Sequence, residues 1–156
     1  FYIFYFLKIM KKLKIISIPK SSKNQKIEIP IFTDRVSAGF PSPASDYIED
    51  NLDLNKYLIP HPAATFIVKA SGHSMIDANI QSGDLLIVDK SLTPKHNNIV
   101  IASIFGDLTV KRLRKKNRNI FLVSNNSDYP SFQIKEEMEC FIWGVVTYVI
   151  HSTISR

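Results

Sequence analysis

The chain has 156 residues, 45% hydrophobic and 22% charged, enough for one compact domain with a tail. Its single cysteine, Cys140, excludes an intramolecular disulfide framework, no Cys/His cluster has zinc-site spacing, and a reducing cytoplasm is the expected compartment. The net charge of +6 lies entirely in residues 1–38, which hold eight Lys/Arg against two Asp/Glu, while residues 39–156 hold twelve of each, so the basicity does not mark a nucleic-acid-binding core.

The first stretch, FYIFYFLKIM, is apolar, but Lys8 interrupts it after seven residues. A spanning helix needs about 20, and a secretory signal carries its positive charge first rather than last, as KKLK does here. No membrane association is expected. Met10 is a candidate start, which makes residues 1–9 an upstream extension. Residues 11–35 mix Lys, Ser, Asn and Gln with brief β-like runs, KIISIP and IEIPIF, and read as an extended, partly mobile arm. Next comes Val36-Ser37-Ala38-Gly39-Phe40-Pro41-Ser42-Pro43, whose prolines and glycine keep it out of helix and central strand; it reads as a linker with accessible backbone.

Residues 44–58 carry the best helical pattern: Ser45 can cap, acids crowd the first turns, and Tyr47, Ile48 and Leu52 fall near one face. Beyond them the pattern turns to short strands at 65–70, 84–89, 98–104, 107–113, 119–124 and 141–150, punctuated by Gly72, Gly83, Pro94, Gly106, Asn125-Asn126 and Pro130. The expected fold is mainly β and largely antiparallel.

Ser71-Gly72-His73-Ser74-Met75-Ile76-Asp77 follows the strand at 65–70 directly. A serine on such a turn can expose its hydroxyl and offer neighbouring backbone N–H groups to an oxyanion. A nucleophile elbow, G-x-S-x-G, would need glycine where Ile76 stands. His73 is adjacent to Ser74 and points elsewhere in extended chain, and His61, His96 and His151 lie in turn-like or terminal contexts with no paired acid in view. Lys111 sits in Leu108-Thr109-Val110-Lys111-Arg112-Leu113, where alternation puts Thr109, Lys111 and Leu113 on one face. Desolvation there would lower the lysine pKa, and a neutral amine can take the proton of a serine hydroxyl. Taken alone, these two residues read better as a turn serine and a solvated lysine of the basic run 111–118.

Four blocks decide otherwise: GFPSPASDY, VKASGHSMID, GDLLIVD and LTVKRL, in that order and spacing. From about residue 30 onward the chain resembles the UmuD type of the LexA/UmuD family of self-cleaving serine–lysine proteases. The resemblance implies a LexA-like β-clip domain behind the arm, Ser74 as nucleophile and Lys111 as general base. It also implies oxyanion donation by the backbone N–H of Ser74 with that of His73, and a scissile bond at Ala38–Gly39. Here alanine stands where UmuD usually has cysteine, as in LexA-type repressors, and His73 stands where a carboxylate is expected. The implied division is 1–38, removed by self-cleavage, and 39–156, the protease and accessory domain. The implied partners are a second copy, a RecA filament on single-stranded DNA as trigger, and a UmuC-like Y-family polymerase served in error-prone translesion synthesis during the SOS response; no cofactor or metal is implied.

Three other readings compete. The catalytic domain of a LexA-like or phage-type repressor would need about 60 residues for a helix-turn-helix before the linker, and 38 are present. A signal peptidase would need a membrane anchor. A non-enzymatic dimeric polymerase accessory module would keep the fold without the chemistry. The run Lys111–Arg118, six Lys/Arg in eight residues, reads as a solvated hairpin rather than a direct DNA contact, because no aromatic platform interleaves the charges.

Overall fold

A computed structural model describes residues 14–16, 28–32, 39, 48–135 and 137–154. It divides into two units, residues 20–60 and the remainder.

The larger unit is an eight-strand antiparallel sheet. Its strands are β1 (Lys14–Ile16), β4 (Thr65–Lys69), β5 (Leu85–Asp89), β6 (Ile99–Ile104), β7 (Asp107–Lys116), β8 (Asn119–Val123), β9 (Phe132–Ile134) and β10 (Cys140–Ile150), in spatial order β1-β4-β5-β10-β6-β7-β8-β9. The six strands expected between residues 65 and 150 are present with ends shifted by a few residues at most. Both faces of β6 are buried. Ile101 joins one cluster with Val68, Leu86, Val88 and Val110, whereas Val100, Ala102 and Ile104 join another with Leu113, Leu122 and Val145. Each fully buried Leu, Ile or Val contributes about 1.5–3 kcal/mol relative to an exposed one, so these two clusters hold the sheet. Strand β10 lies between β5 and β6 and changes register against each of them, between Val146 and Tyr148 and between Ile142 and Gly144. Glycine is required at the second point, because a Cβ on Gly144 would sit 2.6 Å from Val88 Cγ1.

In the smaller unit, β2 (Glu28–Phe32) pairs antiparallel with β3 (Ile48–Asp53), and a short helix α1 (Leu54–Leu58) follows. The helix expected over 44–58 is therefore corrected: 48–53 is strand, Ser45 lies outside the described residues, and the cap is Asp53, whose Oδ1 accepts from the N–H groups of Asn55 and Lys56 at 3.0 and 3.2 Å. The reason is twofold. Asn51 and Asp53 are weak helix formers, and β2 offers the ladder hydrogen bonds that override a weak helical preference. Strands β1 and β2 fall within the two brief β-like runs of the arm.

Candidate active site

The segment after β4 is pinned at both ends before it presents Ser74. Ala70, buried at the strand end, donates its N–H to Asp84 O at 2.8 Å and accepts from Gly83 N–H at 2.9 Å. The chain then turns at Gly72, whose φ of +90° is a left-handed conformation that a side chain would strain. Met75 goes into the core at 3% exposure, and Ile80 does the same five residues on. Between them a 3-10 turn, Ile76–Ala78, is closed by Ala78 N–H to Met75 O at 2.9 Å. Two buried apolar anchors thus bracket the loop, and the half-buried Ser74 stands just before the first of them.

Lys111 approaches from β7. It pairs across the ladder with the fully buried Val100 and is itself only 6% exposed. Its Nζ lies 3.2 Å from Ser74 Oγ, which is hydrogen-bonding distance. No carboxylate pairs with this amine among the described residues. Burial among apolar neighbours therefore disfavours its charge, and the pKa falls from 10.5 to about 8. The charged amine donates to the hydroxyl; the neutral amine offers a lone pair to the hydroxyl proton. This is the geometry that general-base activation of a serine needs.

The loop also leaves backbone donors open. Among the described residues, the N–H groups of His73 and Ser74 donate to no protein acceptor. The His73 carbonyl, by contrast, accepts from Asn126 Nδ2 at 2.9 Å and from Ile76 N–H at 3.3 Å. Of the bond expected to be cut, Gly39 is exposed and Ala38 lies outside the described residues.

Two histidines differ from expectation. His61 Nδ1 lies 2.6 Å from Asp89 Oδ2, and His151 Nδ1 lies 2.7 Å from Asp84 Oδ1, so both have the paired acid that the sequence did not reveal. The pairings are set by register: Thr65 faces Asp89 across β4 and β5, and Ile150 faces Leu85 across β10 and β5. Burial works to raise the Asp89 pKa, but hydrogen bonds from Ser91 and His61 outweigh it and hold the carboxyl below its ordinary range. Ser91, His61 and Asp89 do not form a catalytic triad. Ser91 Oγ lies 2.6 Å from Asp89 Oδ1, to which it donates, and the 3.3 Å contact of Ser91 with His61 falls on Nδ1, the nitrogen already facing Asp89. A triad needs serine and acid on opposite ring nitrogens. His96 Nδ1 accepts from Lys115 N–H at 2.9 Å and is a turn residue.

The basic run divides. Lys111 is buried; Arg112 reaches Asn125 Oδ1 and Asn97 O; Arg114, Lys115, Lys116 and Arg118 are exposed on the β7–β8 hairpin. No helix among the described residues is long and apolar enough to cross a membrane.

Residues 30–147 match the Peptidase S24-like family, and the chain belongs to it. Protein ImpA of Salmonella typhimurium is 52% identical over 124 residues, covering 80% of this chain and 84% of that protein. Protein MucA of Escherichia coli is 42% identical over 137 residues, covering 87% and 93%. The LexA repressor of Psychromonas ingrahamii is 36% identical over 119 residues, covering 76% of this chain but 56% of the repressor. The UmuD-like kinship within the LexA/UmuD family, read above from four sequence blocks, is borne out, as is the mainly β fold that it implied.

Proposed function

We propose that this chain is a self-cleaving serine endopeptidase that cuts its own Ala38–Gly39 bond with Ser74 as nucleophile and Lys111 as general base. The observation that carries the reading is the buried Lys111 amine, 3.2 Å from Ser74 Oγ and facing no carboxylate among the described residues. With the pKa drawn down to about 8, the neutral amine is a substantial population at physiological pH. It takes the hydroxyl proton as Oγ attacks the Ala38 carbonyl carbon. The oxyanion is received by the N–H groups of Ser74 and His73. Collapse breaks the C–N bond, and the Lys111 ammonium gives its proton to the Gly39 nitrogen. Water, deprotonated by the same amine, then hydrolyses the ester between Ala38 and Ser74.

The small residues of the scissile bond let the backbone approach Ser74, and Pro41 and Pro43 keep the following chain extended and lower its ordering cost on docking. Having substrate and enzyme in one chain supplies a high effective concentration, so latency rests on conformation. Cleavage releases residues 1–38 with their whole net charge of +6 and leaves 39–156 neutral. Kinship with the UmuD type supports a homodimer in the cytoplasm, stimulated by a RecA filament on single-stranded DNA, whose product serves a translesion polymerase in the SOS response.

Intact-mass spectrometry of the wild type and Ser74→Ala, incubated at pH 9 with and without RecA filaments, tests the reading. Two fragments whose masses match 1–38 and 39–156, from wild type alone, are expected. A cut at another bond contradicts the assigned site, and identical behaviour of wild type and Ser74→Ala contradicts the reading as a whole and favours the accessory-module alternative.

A further inference from the structure

We propose that Asn126 is a positioning residue that aims the Ser74 backbone N–H at the developing oxyanion; the inference rests on the serine–lysine reading above and deepens it.

Asn126 lies in the connection between β8 and β9, and the local hydrogen bonds settle how its carboxamide faces. Asp128 N–H donates to Asn126 Oδ1 at 3.0 Å, and Tyr129 N–H donates to Asn126 O at 3.2 Å. With the oxygen held by a backbone donor, the NH2 group is the half that remains, and it donates to His73 O at 2.9 Å. That carbonyl belongs to the peptide joining His73 to Ser74. The peptide is trans, so its C=O and N–H point in opposite directions across one plane. Ile76 N–H donates to the same oxygen at 3.3 Å from within the loop, and Asn126 is the shorter contact and the one from outside it; holding the His73 oxygen therefore fixes the direction in which the Ser74 N–H points.

The loop needs such a clamp on this side. Met75 anchors it downstream, but upstream stands Gly72, which has no Cβ and nothing within 4 Å of where one would be. Backbone sterics there do not select one peptide orientation. A second strut ties the same loop to the lysine's strand: Asp77 N–H donates to Asn125 O at 2.9 Å, and Arg112 Nε donates to Asn125 Oδ1 at 2.8 Å. Arg112 directly follows Lys111, so the base and the oxyanion donor are braced against one short segment, Asn125-Asn126.

First-order self-cleavage of the full chain across pH 6 to 10.5 tests this for wild type, Asn126→Ala and Asn126→Asp, with thermal unfolding measured alongside. Asn126→Asp keeps the acceptor for Asp128 N–H and loses the donor to His73. Removing an oxyanion donor outright costs about 10²–10³ in rate; releasing its aim is expected to lower the high-pH plateau about tenfold in both variants. The Asn126→Ala midpoint should stay at the wild-type value, expected near the Lys111 pKa of about 8. A wild-type plateau in either folded variant overturns the proposal. So does a slower Asn126→Ala whose whole loss comes from a displaced midpoint, which would put Asn126 on the base instead. If Asn126→Ala does not fold, the Asn126→Asp plateau decides; if neither folds, the role is structural and the proposal falls. Wild type that fails to cut itself, or Ser74→Ala that succeeds, breaks the parent reading whatever Asn126 does, and takes this inference with it.

Discussion

The inner and outer halves of β7 carry the same kind of residue into opposite physical situations. Lys111, on the inner half, faces Val100 of β6, a strand buried on both faces. Lys115, four residues on, faces Ile120 of β8 near the hairpin tip, is exposed, and spends its amine on Pro94 O at 3.3 Å. Strand β6 pairs with β7 only as far as Arg112; beyond that point the turn residues before β6 and strand β8 accompany it, and neither supplies a neighbour buried on both faces. A strand neighbour with two buried faces is what separates a lysine that can be a base from one that is surface charge. Cross-strand partners decide this, and charge density along the sequence does not.

Substituting each lysine sharpens the contrast. Lys111→Ala is expected to slow self-cleavage about 10³-fold, the range of a lost general base, whereas Lys115→Ala should stay within about twofold. Fragment yield against time on gels reads both, and an equal loss in the two would erase the distinction.

A smaller effect, on stability, runs the other way. Because burial lowers the Lys111 pKa, the folded protein binds fewer protons than the unfolded chain between about pH 8 and pH 10.5. Stability therefore rises with pH through that window. Below it the whole cost of the buried charge is present, on the order of 3 kcal/mol. Lys111→Met should accordingly stabilise the fold by about 1–3 kcal/mol at pH 6, with the gain fading as pH approaches 10.5. Lys115→Met should shift it by under about 0.5 kcal/mol at any pH. Denaturant unfolding at several pH values measures this, and a pH-independent gain at Lys111 would mean that packing rather than charge is responsible.

Much of the fold was legible because apolar runs and turn residues are local signals. The nearly continuous apolar run of Ile99–Ile104 and the Gly106 turn mark β6 and β7 without any knowledge of their partners. Where the outcome depended on a distant neighbour, sequence reasoning failed. Acids and capping residues over 44–58 suggested a helix, but pairing with β2 claimed residues 48–53. His61 and His151 looked unpaired because their aspartates are 28 and 67 residues away and arrive through strand register. Family blocks singled out Ser74 and Lys111, which the fold brings within 3.2 Å, while the depth of Lys111 burial was not legible, since its own segment reads as a basic run. Asn126 registered only as turn punctuation; its grip on His73, 53 residues away, needed coordinates.

The most direct measurement is an NMR titration of the Lys111 side-chain Cε and Nζ signals in Ser74→Ala. That variant should not cut itself, and the Ser74 hydroxyl is not a source of the lowered pKa, which comes from burial. A midpoint near 8, well below the ordinary lysine value of 10.5, is expected. A midpoint above 10 would leave Ser74 beside a permanently charged ammonium and contradict the account.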